Sequence, residues 1–181
     1  MDRITEIAEK VVKMYLKEPV AVIVGALVAL VLTVVTFGLL APVMFLGLAE
    51  FFRKIEKGEK PVINDLFIHL NKFIFLAVIG LISGATIFLG MVLLIIPAFL
   101  AAALWIYAPF YHAYEGKGII DSLKMSAKTA ISKNYLGHVV LILALGLVNA
   151  VGSALWIGTL FTFPVTAGFV YYLYMQNRIA E

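Results

Sequence analysis

Between Phe73 and Tyr114 the chain reads FIFLAVIGLISGATIFLGMVLLIIPAFLAAALWIYAPFYHAY, without one Asp, Glu, Lys or Arg. A helix crossing a hydrocarbon core of about 30 Å needs about 20 apolar residues, and this run is about twice that long, so it reads as two helices folded back on each other. Pro97, after LLII, marks the turn, because a residue without an N–H ends a helix where no hydrogen bond need be stranded. Two more uncharged runs flank this one, Pro19 to Ala49 and Asn134 to Asn177. The longer, Asn134 to Asn177, reads as a second hairpin, broken at Pro164 after the loosely polar GTLFTF. The shorter reads either as a hairpin broken at Pro42 or as one tilted helix kinked there, since its length is scant for two spans.

The rest of the composition agrees. Of 181 residues 63% are hydrophobic and 14% charged, with a mean hydropathy of +1.03. The longest charged stretch between the runs, Glu50 to Lys72, is far too short for a self-sustaining soluble core. No soluble catalytic domain and no nucleic-acid-binding domain fits. Cysteine is absent, which excludes disulfides and thiolate metal sites. The opening MDRITEIAEKVVKMYLKEP is not expected to be a signal peptide, because its charges are mixed in sign and the apolar run that follows is too long.

If all three runs are hairpins, every charged segment falls on one side of the membrane, with 14 Lys and Arg there and none opposite. The positive-inside rule makes that side the cytoplasm, giving a multi-pass protein of the cell membrane with six spans and both termini inside. A five-span arrangement would send the segment before Pro19, with its four Lys and Arg, outside. Tyr15, Phe51, Phe52, Tyr111, Tyr114, Tyr135, Tyr171, Tyr172 and Tyr174 are expected near the inner headgroup level as an aromatic belt. Three charged segments carry apolar residues at helical spacing: Ile4, Ile7, Val11 and Tyr15; Ile63, Leu66 or Phe67, and Leu70; Ile120, Leu123, Ala127 and Ala130. These predict amphipathic helices in the interface plane, or loops whose periodicity is incidental. The fold class is therefore all-α and integral to the membrane, with six transmembrane helices as three Pro-broken hairpins, each preceded by an interfacial helix. Units 1–57, 58–115 and 116–181 read as a three-fold parallel pseudo-repeat, or as the likeness that a membrane imposes on any apolar hairpin.

No residue is assigned to catalysis, to a metal or to a cofactor. His69, His112 and His138 share the inner side, but none stands in a metal-ligand spacing. Gly80 and Gly84 form a GxxxG that allows backbones to approach. Asn149 is the most polar residue deep inside a span and reads either as a contact for a passing solute or as a bond to a neighbouring helix. The basic side offers the usable chemistry. Lys117, Lys124, Lys128 and Lys133, with Arg53 and Lys54, are the candidates for anionic headgroups, since a basic residue beside an anionic leaflet gains about 1 kcal/mol.

One resemblance adds to this. Gly38 to Gly47 (GLLAPVMFLG), Arg53, Lys60-Pro61, Asp65-Leu66-Phe67, Ile96-Pro97, Tyr107-Ala108-Pro109, Glu115 to Gly118, Asp121-Ser122-Leu123 with Ser126, and Phe163-Pro164 together resemble an archaeal and bacterial membrane-protein family of unknown function. That family is related to YciC-type proteins and to the membrane domain of glycerophosphoryl diester phosphodiesterases. The resemblance covers about three quarters of the chain and implies six helices with a loose link to envelope or lipid homeostasis. The expectation is a non-enzymatic protein whose partners are anionic lipids of the inner leaflet, with a cytoplasmic protein partner and homo-oligomers both allowed and no nucleic acid. The alternative is a transporter or channel for small solutes or lipids that uses the Pro-broken helices.

Overall fold

A proline or a glycine stands at nearly every bend of the chain. In the computed structural model, which describes residues 2–93, 95–154 and 158–178, every regular element is helical. Helix α1 (Asp2–Lys17) meets α2 (Pro19–Val35) at 98°. Pro19 opens α2, where its missing N–H costs nothing. Phe37 and Gly38 then take left-handed backbone angles, φ 51° and 83°, and reverse the chain into α3 (Ala41–Glu56). Gly25 lies under the Phe51 ring, and Leu30 and Thr33 face Pro42 and Phe45, so α2 and α3 are antiparallel. The first run is thus a hairpin and not one kinked helix. Its break precedes Pro42, which sits in the first turn of α3.

After Gly58, whose φ of 79° ends α3, the amphipathic helix expected over Ile63–Leu70 is replaced by two 3-10 turns, Ile63–Phe67 and Leu70–Lys72. The cause is local. Val62, directly after Pro61, is extended, and the Asp65 carboxylate accepts its N–H at 2.8 Å. The Leu66 backbone is also pressed against Gly47, where a Cβ would stand 2.5 Å from it. A regular helix has no room at that contact.

Helix α4 (Phe73–Leu93) folds back on α5 (Ile95–Trp105), with Gly90 against the backbone of Pro97 and Ala98. Pro97 belongs to the first turn of α5, so here too the proline begins the second helix and the reversal precedes it. The chain breaks again at Ile106–Tyr107 before α6 (Ala108–Glu115), whose first turn holds Pro109. Gly116, at φ 68°, caps α6 and leads to α7 (Ile119–Ser132). Helices α8 (Tyr135–Ala154) and α9 (Thr159–Asn177) form the last hairpin, with Gly152 against Gly158 and Thr162. Pro164 is therefore no helix break. It lies inside α9, and the reversal comes earlier, where glycines at 152 and 158 let the two helices touch.

Among the described residues three helical stretches are long and apolar enough to cross a membrane, Ile63–Leu93, Ile96–Glu115 and Tyr135–Ala154, and the bent α1–α2 pair makes a fourth if taken together. Helices α2 and α3, of 17 and 16 residues, extend roughly 26 and 24 Å at 1.5 Å per residue, short of the usual hydrocarbon thickness. Large apolar side chains such as Phe88, Leu89, Leu147 and Val151 stay exposed along α4 and α8, as lipid contact requires.

Packing concentrates around Phe51, Phe52, Tyr107, Phe110, Tyr111 and Tyr174, all fully buried. The expected aromatic belt is thus largely internal: Tyr171, Tyr172 and Tyr174 stack against one another and against α6 rather than standing in a headgroup layer.

Candidate functional site

The charged ends of the helices meet and are tied together at one pole. Lys10 of α1 pairs with Glu56 of α3 at 2.6 Å and lies 4.3 Å above the Tyr172 ring of α9. Lys54 pairs with Asp65 at 2.8 Å. Lys72 donates to the Ala113 carbonyl, and the Tyr174 hydroxyl donates to Glu115 at 2.6 Å. Glu50, 1% exposed, receives Arg53 Nε at 2.5 Å and lies 3.3 Å from His69 Nε2. Tyr114 also faces Glu50, although its hydroxyl has no hydrogen bond of good geometry. Two of the headgroup candidates, Arg53 and Lys54, are therefore held in internal ion pairs.

Helix α7 divides the others. At 100° per residue, Ser122, Ser126 and Thr129 share one face and are fully buried, while Ile120, Lys124, Lys128 and Ile131 share the opposite, exposed face. The expected apolar face of Ile120, Leu123, Ala127 and Ala130 is thus only half right. Leu123 and Ala130 are buried and Ile120 is 66% exposed. The inward hydroxyls have work to do. Ser126 Oγ donates to the Leu104 carbonyl at 2.5 Å and accepts the Tyr107 N–H at 3.1 Å, so a single hydroxyl serves both sides of the α5–α6 break. Thr129 shares a 2.6 Å hydrogen bond with the Tyr111 hydroxyl, and Ser122 donates to the Lys117 carbonyl. What α7 leaves outside is a stripe of two isoleucines and two lysines, with the exposed Asp121 and Ser132 along one edge. Lys117 is half-buried at its N-terminal end.

Lys133, at the other end of α7, is turned away from that stripe. It lines a half-open cavity of about 190 Å³ between the start of α1, the start of α8 and the end of α9. Below it, Asn177 donates to the Tyr107 hydroxyl at 3.2 Å, Tyr107 bonds His138 Nε2 at 2.8 Å, and His138 Nδ1 meets the Asn134 carbonyl at 2.8 Å. All of these bonds are satisfied when His138 is neutral and carries its proton on Nδ1. The other histidines are bound separately, His69 at Glu50 and His112 at the Lys117 carbonyl, and no group of three or more potential ligands converges among the described residues. Asn149 donates to Leu145 O and to Thr166 Oγ1 at 2.7 Å, joining α8 to α9. It is an inter-helix bond.

Compared with protein-family models, curated proteins and solved structures, the chain matches none. The resemblance described above therefore rests on its short motifs alone.

Ser126, Tyr107 and Asn177 form a connected set that reading the sequence does not pick out. The available signal was Tyr107-Ala108-Pro109, which breaks a helix, beside a nearby segment whose hydroxyls repeat at 122, 126 and 129. Hydroxyls at that spacing near a broken helix supply the partners it lacks.

Proposed function

We propose that this is a non-enzymatic, six-span protein of the cell membrane that associates with anionic lipids of the inner leaflet through the outer face of α7. One observation carries the reading: α7 buries the hydroxyls of Ser122, Ser126 and Thr129 and exposes Ile120 and Ile131 beside Lys124 and Lys128, with Asp121 at the edge of that face. In water this pattern is backwards. At a headgroup layer it is favourable, because the isoleucines enter the acyl boundary while the lysine stems reach up to anionic headgroups. Helices α2–α3, α4 with α5–α6, and α8–α9 supply the three hairpins, with α2 and α3 drawing the bilayer slightly thin. Each hairpin follows a surface element, which supports units 1–57, 58–115 and 116–181 as a parallel pseudo-repeat.

Two measurements test this. Because the chain has no cysteine, Phe37→Cys and Glu59→Cys can be labelled singly in intact cells with a membrane-impermeant maleimide. Labelling of position 37 and protection of position 59 is expected, and the reverse would invert the topology. Native mass spectrometry of protein exchanged into mixed phosphatidylglycerol and phosphatidylcholine micelles should show retained phosphatidylglycerol. The Lys124→Glu/Lys128→Glu protein should retain fewer phosphatidylglycerol molecules, and an unchanged number would sink the reading of the α7 face.

A further inference from the structure

We infer that the cavity beneath Lys133 seats the phosphate of one anionic amphiphile, at a place distinct from the α7 stripe. The inference rests on the lipid-associated reading above and gives it a bounded site. The chemistry of the walls points to an anion. The lining residues include an ammonium, Lys133, and the carboxamide of Asn134, and no carboxylate. Lys133 forms no ion pair with any described residue. The floor is already bonded, since both ring nitrogens of His138 are occupied by Tyr107 and Asn134. At the start of α8, Asn134 Oδ1 takes the Gly137 N–H at 3.1 Å. The charge that is left over is that of Lys133.

The opposite wall makes the ligand an amphiphile. Leu141 and Leu173 are buried there, 7% and 5% exposed, and Ile4 stands at the rim, 46% exposed. At about 190 Å³ the cavity falls below the usual range of about 300–1,000 Å³ for pockets that enclose a whole drug-sized ligand. It suits a headgroup phosphate and the first carbons attached to it, with the remainder of the chains leaving through the open side. Asn134 adopts a left-handed φ of 88°, and its amide folds over Gly137, where a Cβ would stand 2.8 Å from Nδ2. That fold places the carboxamide beside Lys133 at the mouth.

The test counts bound lipids on the full-length protein by native mass spectrometry, with phosphatidylglycerol, phosphatidylcholine and inorganic phosphate as probes. Lys133→Ala removes the charge, and Ile4→Trp fills the cavity from an exposed rim position that tolerates the larger side chain. Each should weaken retention of one phosphatidylglycerol, Lys133→Ala by roughly fivefold, with the unfolding midpoint unchanged. Lys124→Glu/Lys128→Glu should keep that one lipid while losing others. Wild-type retention in both cavity variants overturns the site. If the α7 variant then still loses lipid, the broader reading stands without the cavity; if it does not, both fall. Inorganic phosphate retained as well as phosphatidylglycerol overturns the amphiphile.

Discussion

The backbone N–H of Tyr107 donates to the hydroxyl of Ser126 at 3.1 Å, across from α6 to α7, at the point where α5 and α6 part. The same hydroxyl donates to the Leu104 carbonyl, so the break survives in an apolar setting because a side chain from another helix satisfies it. Ser126→Ala leaves both backbone groups without that partner at a fully buried position. The expected loss is about 1–3 kcal/mol, the cost of stranding buried polar groups. Unfolding in mixed detergent micelles measures it, and an unshifted midpoint would mean that the break is stabilised elsewhere.

Two glycines should behave in opposite ways. Gly47 meets the Leu66 main chain, so Gly47→Ala forces backbone to move and should cost about 1–3 kcal/mol. A methyl group added at Gly84, within α4, would meet nothing within 4 Å, so Gly84→Ala should be neutral or stabilising by up to about 1 kcal/mol. Parallel midpoints for the two variants decide it. A large loss at Gly84 would show that its face is covered by another copy of the chain in the micelle.

Those contacts also explain which parts of the fold were legible. The two longer runs read as hairpins from length alone, while length left the first run open, and α1 follows from Ile7 and Val11, which the structure buries. Pro42 and Pro97 mark the correct reversals, offset by a few residues, because proline is tolerated at a helix start as well as past its end. Pro164 misled for the same reason: one missing N–H does not stop a helix when Gly152 and Gly158 allow a closer turn upstream. The 3-10 turns after Pro61 combine the local Asp65 cap on Val62 with a tertiary contact at Gly47, and only the second is announced by no local pattern. Lysine positions were legible, but their roles were not. Ion-pair partners take Arg53 and Lys54, and the rotation of α7 about its axis separates Lys133 from Lys124 and Lys128.

The buried pair Glu50–Arg53 predicts an asymmetry between its two halves. Glu50 is 1% exposed at its side chain and Arg53 35%. Removing Arg53 leaves a buried carboxylate facing only His69 and Tyr114, so Arg53→Ala should cost about 3–5 kcal/mol, toward the low end given that histidine. Glu50→Gln frees an arginine that can already reach water, and should cost about 1–2 kcal/mol. The order of the two losses, read from unfolding midpoints at neutral pH, is the prediction. Equal losses would place the main interaction outside this pair.

Asn149 separates a structural role from a solute-binding one. Its Nδ2 reaches Thr166 Oγ1 at 2.7 Å, and Thr166 in turn donates to the Thr162 carbonyl, so the amide links α8 to α9. Inter-helix hydrogen bonds of this kind average about 0.6 kcal/mol and reach about 1.7 in membranes. Asn149→Leu should therefore lower stability by that modest amount and leave phosphatidylglycerol retention unchanged. Thr166→Val should cost a similar amount, and the double variant should cost less than the sum of the two, since both remove the same bond. Additive losses would show that Asn149 and Thr166 act apart. Solute flux through sealed vesicles that is abolished by Asn149→Leu alone would instead move this residue from helix packing to transport.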